Sequence, residues 1–113
     1  MTKLYKEIVQ DSSNALAKLR KDIPEVMSGF SALAQAATKE GALEKKTKEL
    51  IAIALAVAAR CDGCIGLHTQ TLIKLGASRA ELLETLGMAI YMGGGPSAVY
   101  AADTLKAFDE LSA

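Results

Sequence analysis

The sequence predicts a single all-α domain of about six helices. Three observations lead there. Apolar residues recur at helical spacing along almost the whole chain. β-branched residues are scattered, with no period-two alternation. Glycine and proline cut the pattern into helix-sized pieces. The length, 113 residues, is that of one domain, and no repeat, linker or low-complexity tract divides it. Residues 1–113 therefore read as one unit, with N-terminal helices over 1–40 and a core over 43–108 that carries both cysteines.

Leu4, Ile8, Leu16, Leu19 and Ile23 space an amphipathic first helix over roughly Lys3 to Arg20. Asp22-Ile23-Pro24 is a restart signal, since proline is tolerated in a first turn. The second helix runs to about Lys39, with Gly41 as its stop. The third spans about Leu43 to Arg60. Its start is wet, with Glu44, Lys45, Lys46, Lys48 and Glu49. From Leu50 onward it is apolar on nearly all sides, which predicts a buried end. Ala52, Ala54, Ala56, Ala58 and Ala59 let neighbouring helices approach closely. Asp62 and Gly63 break the pattern, and a fourth helix follows to about Leu75, closed by Gly76. Ser78-Arg79-Ala80-Glu81 is a capping-box sequence that starts the fifth. Gly93-Gly94-Gly95-Pro96 ends it. A glycine run can cradle phosphate, but such loops follow a strand and none precedes this one, so it reads as a helix break. The last helix carries Val99, Leu105, Phe108 and Leu111.

Half the residues are hydrophobic but only 4% are aromatic. The apolar mass is Ala, Leu, Ile and Val, which makes a thin core of the kind a partner subunit often completes. Lys+Arg and Asp+Glu balance at 13 each. That gives no electrostatic reason for nucleic acid or an anionic membrane as partner, and near-zero net charge mildly favours association. Met1 to Arg20 has no apolar stretch of the secretory kind. The longest apolar run, Leu50 to Ala59, is too short to span a bilayer. The expectation is a soluble cytoplasmic protein. Structural disulfides are rare in that compartment, so a close cysteine pair points to redox or metal chemistry.

Cys61-Asp62-Gly63-Cys64 is that pair, and His68 follows it. At about 100° per helical residue, Cys61, Cys64 and His68 share one face within an arc of about 60°. Cys64 and His68 are i,i+4 neighbours. The cysteines lie where the fourth helix begins, and unpaired backbone N–H groups there favour a thiolate. A second thiol three residues away can attack a mixed disulfide or a sulfenic acid, which suits cycling between dithiol and disulfide. His68 can take or return a proton near neutral pH.

Other readings stand beside this one. Cysteine also packs as a small inert hydrophobe. Cys61, Cys64 and His68 could ligate zinc, with Glu49 or water as fourth ligand, although structural zinc draws its ligands from two segments and no second Cys/His pair exists. Glu49 by itself is an ordinary solvated helix residue near Lys45 and Lys46. A simple antiparallel pairing also places it badly. From the turn, Glu49 is roughly 18 Å away and His68 roughly 10 Å, at 1.5 Å per residue.

Glu49, eleven residues, then Cys61-x-x-Cys64-x-x-x-His68 resembles the signature of AhpD-like alkylhydroperoxidases, within the carboxymuconolactone decarboxylase superfamily. Ala89-Ile90-Tyr91-Met92-Gly93-Gly94-Gly95-Pro96 and the Ala-rich helix after it are similar to the same superfamily, so the resemblance covers roughly Leu43 to Phe108. It implies an AhpD-like helical fold assembled as trimers or hexamers. It implies peroxidase activity, with antioxidant reduction of hydroperoxides. Cys64 would be the nucleophile that becomes sulfenic acid, and Cys61 its proton donor and disulfide partner. Glu49 and His68 would form a proton relay. The resemblance further implies an external dithiol reductant or a peroxiredoxin partner, with no cofactor within the chain. Better-known members carry a second histidine directly before the second cysteine, where this chain has Gly63. The relay is then incomplete. Superfamily decarboxylases lack the cysteine pair, so lactone decarboxylation is not expected. The alternatives to a peroxidase are a general disulfide reductase or redox relay, and a non-enzymatic metal-binding or redox-sensing module.

Overall fold

The computed structural model describes residues 2–113. Among them are six helices and no strand: α1 (Tyr5–Asp22), α2 (Pro24–Thr38), α3 (Lys45–Ala58), α4 (Asp62–Lys74), α5 (Arg79–Gly93) and α6 (Gly95–Ser112). α4 lies at the centre, packed on α3, α6 and α1, while α5 closes against α3 and α6. The core joins Tyr5 of α1, Ile53 and Val57 of α3, Ile65 and Leu72 of α4, Leu82 and Leu86 of α5, and Ala101, Ala107 and Phe108 of α6.

α1 is amphipathic, but its buried face is not the expected one. Tyr5 and Val9 are buried, whereas Leu4 and Leu19 are nearly half exposed. The cause lies on the partner helix. Gly66 of α4 has no side chain, so Val9 and Tyr5 settle onto its backbone. A Cβ at Gly66 would stand 2.8 Å from Val9 Cγ2 and 3.4 Å from Tyr5 Cδ1. Far along the sequence, the Glu110 carboxylate accepts the Tyr5 N–H and the Lys6 N–H, both at 2.9 Å. α1 is thus capped by the end of α6, and those two backbone donors hold the Glu110 carboxyl below the usual carboxylate range.

α2 starts on Pro24 as expected and buries only Met27. Lys48, in the wet first part of α3, donates to the Ala37 carbonyl at 3.0 Å and the Lys39 carbonyl at 2.5 Å, which closes the end of α2. Lys46 pairs with Glu81 of α5 at 2.9 Å. α3 stops at Ala58, two residues short of Arg60. The Cys61 N–H returns to the Ala56 carbonyl at 3.1 Å and the Arg60 N–H to the Val57 carbonyl at 3.0 Å. This is a Schellman closure, and its left-handed position holds Arg60 at φ 56° where glycine is usual. A side chain there costs of order 1 kcal/mol.

The expected all-round burial of the end of α3 does not hold. Ile53, Ala56 and Val57 are buried, but Ile51 and Leu55 face outward in the single chain. The capping box of α5 forms as expected: the Glu81 N–H donates to Ser78 Oγ at 3.0 Å and the Ser78 N–H to Glu81 Oε1 at 2.8 Å. The glycine run is a one-residue break. Gly94 takes φ 71°, ψ −150°, a region open only to glycine, and Gly93 has no room for a Cβ against Ser97. α6 then buries small residues, Ser97, Ala101, Thr104 and Ala107, before Phe108, while Val99 points out. No described helix is long and apolar enough to cross a membrane.

Candidate redox site

Cys61 is the N-cap of α4 in extended conformation, and Cys64 lies one turn in. Their sulfurs are joined in a disulfide, with Cα atoms 5.2 Å apart. The Cys64 N–H donates to Cys61 Sγ at 3.2 Å. An unpaired amide of the helix's first turn is therefore aimed at the Cys61 sulfur, where a serine or aspartate cap would place its oxygen. Both cysteines are partly exposed, and Cys64 packs against the core.

Gly63 separates them under α1. A Cβ there would start 3.0 Å from Ser12 Oγ. A histidine at this position, as the resemblance implies for better-known members, would need Ser12 to turn aside. An apolar groove of about 330 Å³ opens between the first half of α4 and the middle of α1, lined by Ala15, Leu16, Leu19, Leu67 and the two cysteines.

His68 lies one turn beyond Cys64 on α4, partly exposed. Its Nδ1–H donates to Glu49 Oε2 at 2.7 Å, with the tautomer set by the carboxylate partner. Glu49 is only 4% exposed, so it is not the solvated helix residue its sequence neighbours suggest. The expected offset closes because α3 ends early. Measured from the helix ends, the two residues are about 13 Å and about 9 Å from the turn, at 1.5 Å per residue. Two long side chains span what is left. His68 keeps Nε2 free of Glu49. Among the described residues, no direct hydrogen bond joins His68 to either sulfur.

Sequence reasoning missed a second group at the turn. The Asp62 carboxylate, between the cysteines, accepts hydrogen bonds from Lys3 and Tyr5. These contacts cross 59 and 57 residues, and no spacing rule reaches that far. Among the described residues, no cluster of three or more His, Cys, Asp or Glu side chains has the arrangement of a metal site.

The sequence fits the model of the carboxymuconolactone decarboxylase family over residues 24–107. The chain belongs to that family. The match includes α2, upstream of the stretch that carries the motif. An uncharacterised protein of Cupriavidus necator is 41% identical over the full length of both chains. An uncharacterised protein of the cox locus of Paracoccus denitrificans is 31% identical, over 88% of this chain and 90% of its own. In three dimensions the chain superimposes on the crystal structure of an apo carboxymuconolactone decarboxylase family protein from Legionella pneumophila. That pair gives a TM-score of 0.94 and 67% identity, over 96% of this chain and 97% of the other. The family includes decarboxylases and alkylhydroperoxidases. Membership, together with a Cys-x-x-Cys pair in disulfide form, is compatible with redox activity.

Proposed function

We propose that this protein is a cytoplasmic dithiol peroxidase of the alkylhydroperoxidase type. The observation that carries the reading is the 2.7 Å contact of buried Glu49 with His68, one helical turn from Cys64 of a two-cysteine disulfide. The carboxylate fixes the imidazole so that Nε2 presents its lone pair, as a base must. In the reduced chain, His68 takes the Cys64 proton. The thiolate attacks the terminal oxygen of a hydroperoxide, an S–O bond forms and the O–O bond breaks. The alkoxide leaves as alcohol, taking up the proton that His68 holds. Sulfur has lost two electrons and stands as sulfenic acid. Cys61 then attacks that sulfur, the S–S bond forms, and the S–O bond breaks with release of water. An external dithiol returns the pair to two thiols by exchange. The apolar groove beside the disulfide suits a substrate or reductant with an uncharged hydrocarbon body.

A second reading has one observation in its favour. The helix start points its amide at Cys61 Sγ, which favours Cys61 as the more acidic thiol and therefore a disulfide reductase or relay that attacks from the outer cysteine. Single-cysteine variants separate the two. For the peroxidase, Cys64→Ser abolishes reaction with peroxide, and Cys61→Ser allows one oxidation that dimedone traps on Cys64, seen by mass spectrometry after one equivalent of peroxide. A dimedone adduct on Cys61 of Cys64→Ser, formed at the wild-type rate, overturns the assignment. Absence of any adduct in either variant leaves the reductase.

A further inference from the structure

Asp62 stands between the two cysteines, and its carboxylate is tied down by two donors, one of which is itself held by α6. Lys3 Nζ, in the segment before α1, donates to Asp62 Oδ1 at 2.9 Å. The Tyr5 hydroxyl, on α1, donates to the same oxygen at 3.1 Å. Lys3 Nζ also donates to Asp103 Oδ2 on α6 at 2.8 Å and lies over the Tyr100 ring, 4.5 Å from its centroid. The Tyr5 ring is fully buried, so its hydroxyl is a fixed donor. The Lys3 ammonium is held above the ordinary lysine range, chiefly by the Asp103 hydrogen bond, and stays charged at any working pH. Burial, then the charge of Asp62, push the Tyr5 phenol up, so it stays protonated.

The location gives the cluster its meaning. Asp62 and Cys64, two residues apart on α4, point about 160° away from each other. An aspartate in the first turn of a helix competes with a thiolate for the same unpaired amides, and its charge opposes thiolate formation. Here the carboxylate has other donors and a cation on it. We propose that Lys3, assisted by Tyr5, is a positioning residue for the redox pair: it pins the Asp62 carboxylate to the α1–α6 side of the turn and offsets its charge, so that the Cys61/Cys64 thiols ionise at lower pH than an unpaired aspartate between them would allow. This rests on reading the pair as redox-active. Glu49 on α3, His68 on α4 and Arg60, next to Cys61 in the sequence, are further titratable or charged groups of this region. None of them is altered in the test.

The test is a pH titration of thiolate absorbance near 240 nm on the fully reduced protein. Lys3→Met adds one net negative charge beside the pair, Asp62→Asn removes one, and the double variant restores the wild-type count. For unit charges about 8 Å apart in a medium of effective dielectric of about 20–40, the expected displacement is about 0.8 to 1.5 pH units. Lys3→Met is expected to raise the apparent pKa of the pair, and Asp62→Asn to lower it. The double variant is expected to return it to wild type, and Lys3→Arg to leave it there. A purely structural tie predicts that the double variant stays with Lys3→Met, and that result overturns the proposal. So does an unchanged pKa in both single variants. Asp62→Asn alone decides the sign if Lys3→Met does not fold. The titration contains no peroxide, so its failure leaves the peroxidase reading to its own test, and failure of peroxide turnover leaves this result standing.

Discussion

Glu49 and His68 show how much one contact changes the reading of two residues. Before it is seen, Glu49 is a helix carboxylate among lysines. Once buried with a single side-chain partner, it depends on His68 for satisfaction as much as His68 depends on it for orientation. His68→Ala is expected to slow peroxide reduction by roughly 10²- to 10⁴-fold, the range of a lost general base. It also strands a buried carboxylate, which costs about 1–3 kcal/mol of stability. Glu49→Gln alone is expected to slow turnover at least roughly tenfold, because the neutral amide holds the ring without facing the imidazolium that proton uptake creates. In the double variant the rate stays at that of His68→Ala and the melting temperature rises above it. Additive losses in rate show that the two act separately.

At the scale of helices, the boundaries were legible and the faces were not. Pro24, Gly76, the Ser78–Glu81 box and Gly94 are local chemical signals, and the structure uses each of them. Which apolar side chains turn inward depends on the neighbour. Leu4, Leu55 and Val99 are as hydrophobic as Val9, yet Val9 is buried against a glycine while they stay about half or more exposed. The Cys-x-x-Cys and its place at a helix start were readable from spacing, since both are local. As His68's relay partner, Glu49 entered through family resemblance alone. Lys3, Tyr5 and Asp103 carried no signal, because helices distant in sequence bring them to Asp62. The α1–α4 contact makes its own prediction. Gly66→Ala puts a methyl group 2.8 Å from Val9 Cγ2, on a β-branched side chain with little freedom to yield. Overpacking of about 1–3 kcal/mol outweighs the gain of about 1 kcal/mol in helix propensity. A fall of roughly 2–8 °C in melting temperature is expected. In a Val9→Ala background the same change should raise the melting temperature, since only the propensity gain remains. Destabilisation in both backgrounds would locate the clash elsewhere.

The whole molecule leaves much apolar surface open. Val26, Phe30 and Leu33 on α2, Ile51 and Leu55 on α3, and Met88, Tyr91 and Met92 on α5 are all 45–78% exposed. Leu55, Met88 and Met92 line one groove together. Patches of this kind on a neutral chain mark an interface, and we expect a homo-oligomer, a trimer or hexamer by the family resemblance. Light scattering should return a multiple of 11.9 kDa. Leu55→Glu should weaken the assembly while circular dichroism keeps its helical signal, and a stable wild-type monomer at micromolar concentration counts decisively against this expectation. The ties of the first helix also set an order of assembly. Lys3 closes on Asp62 across 59 residues and on Asp103 across 100, and Tyr5 on Glu110 across 105. The entropy of closing such spans grows slowly with their length, so stability suffers little, whereas long separations slow the search. During synthesis, the cysteine turn and its helix are made before Asp103 and Glu110. The redox pair is therefore first present in a chain whose α1 still lacks its Glu110 cap and the Asp103 half of the Lys3 tie, and α6 completes the anchoring of α1.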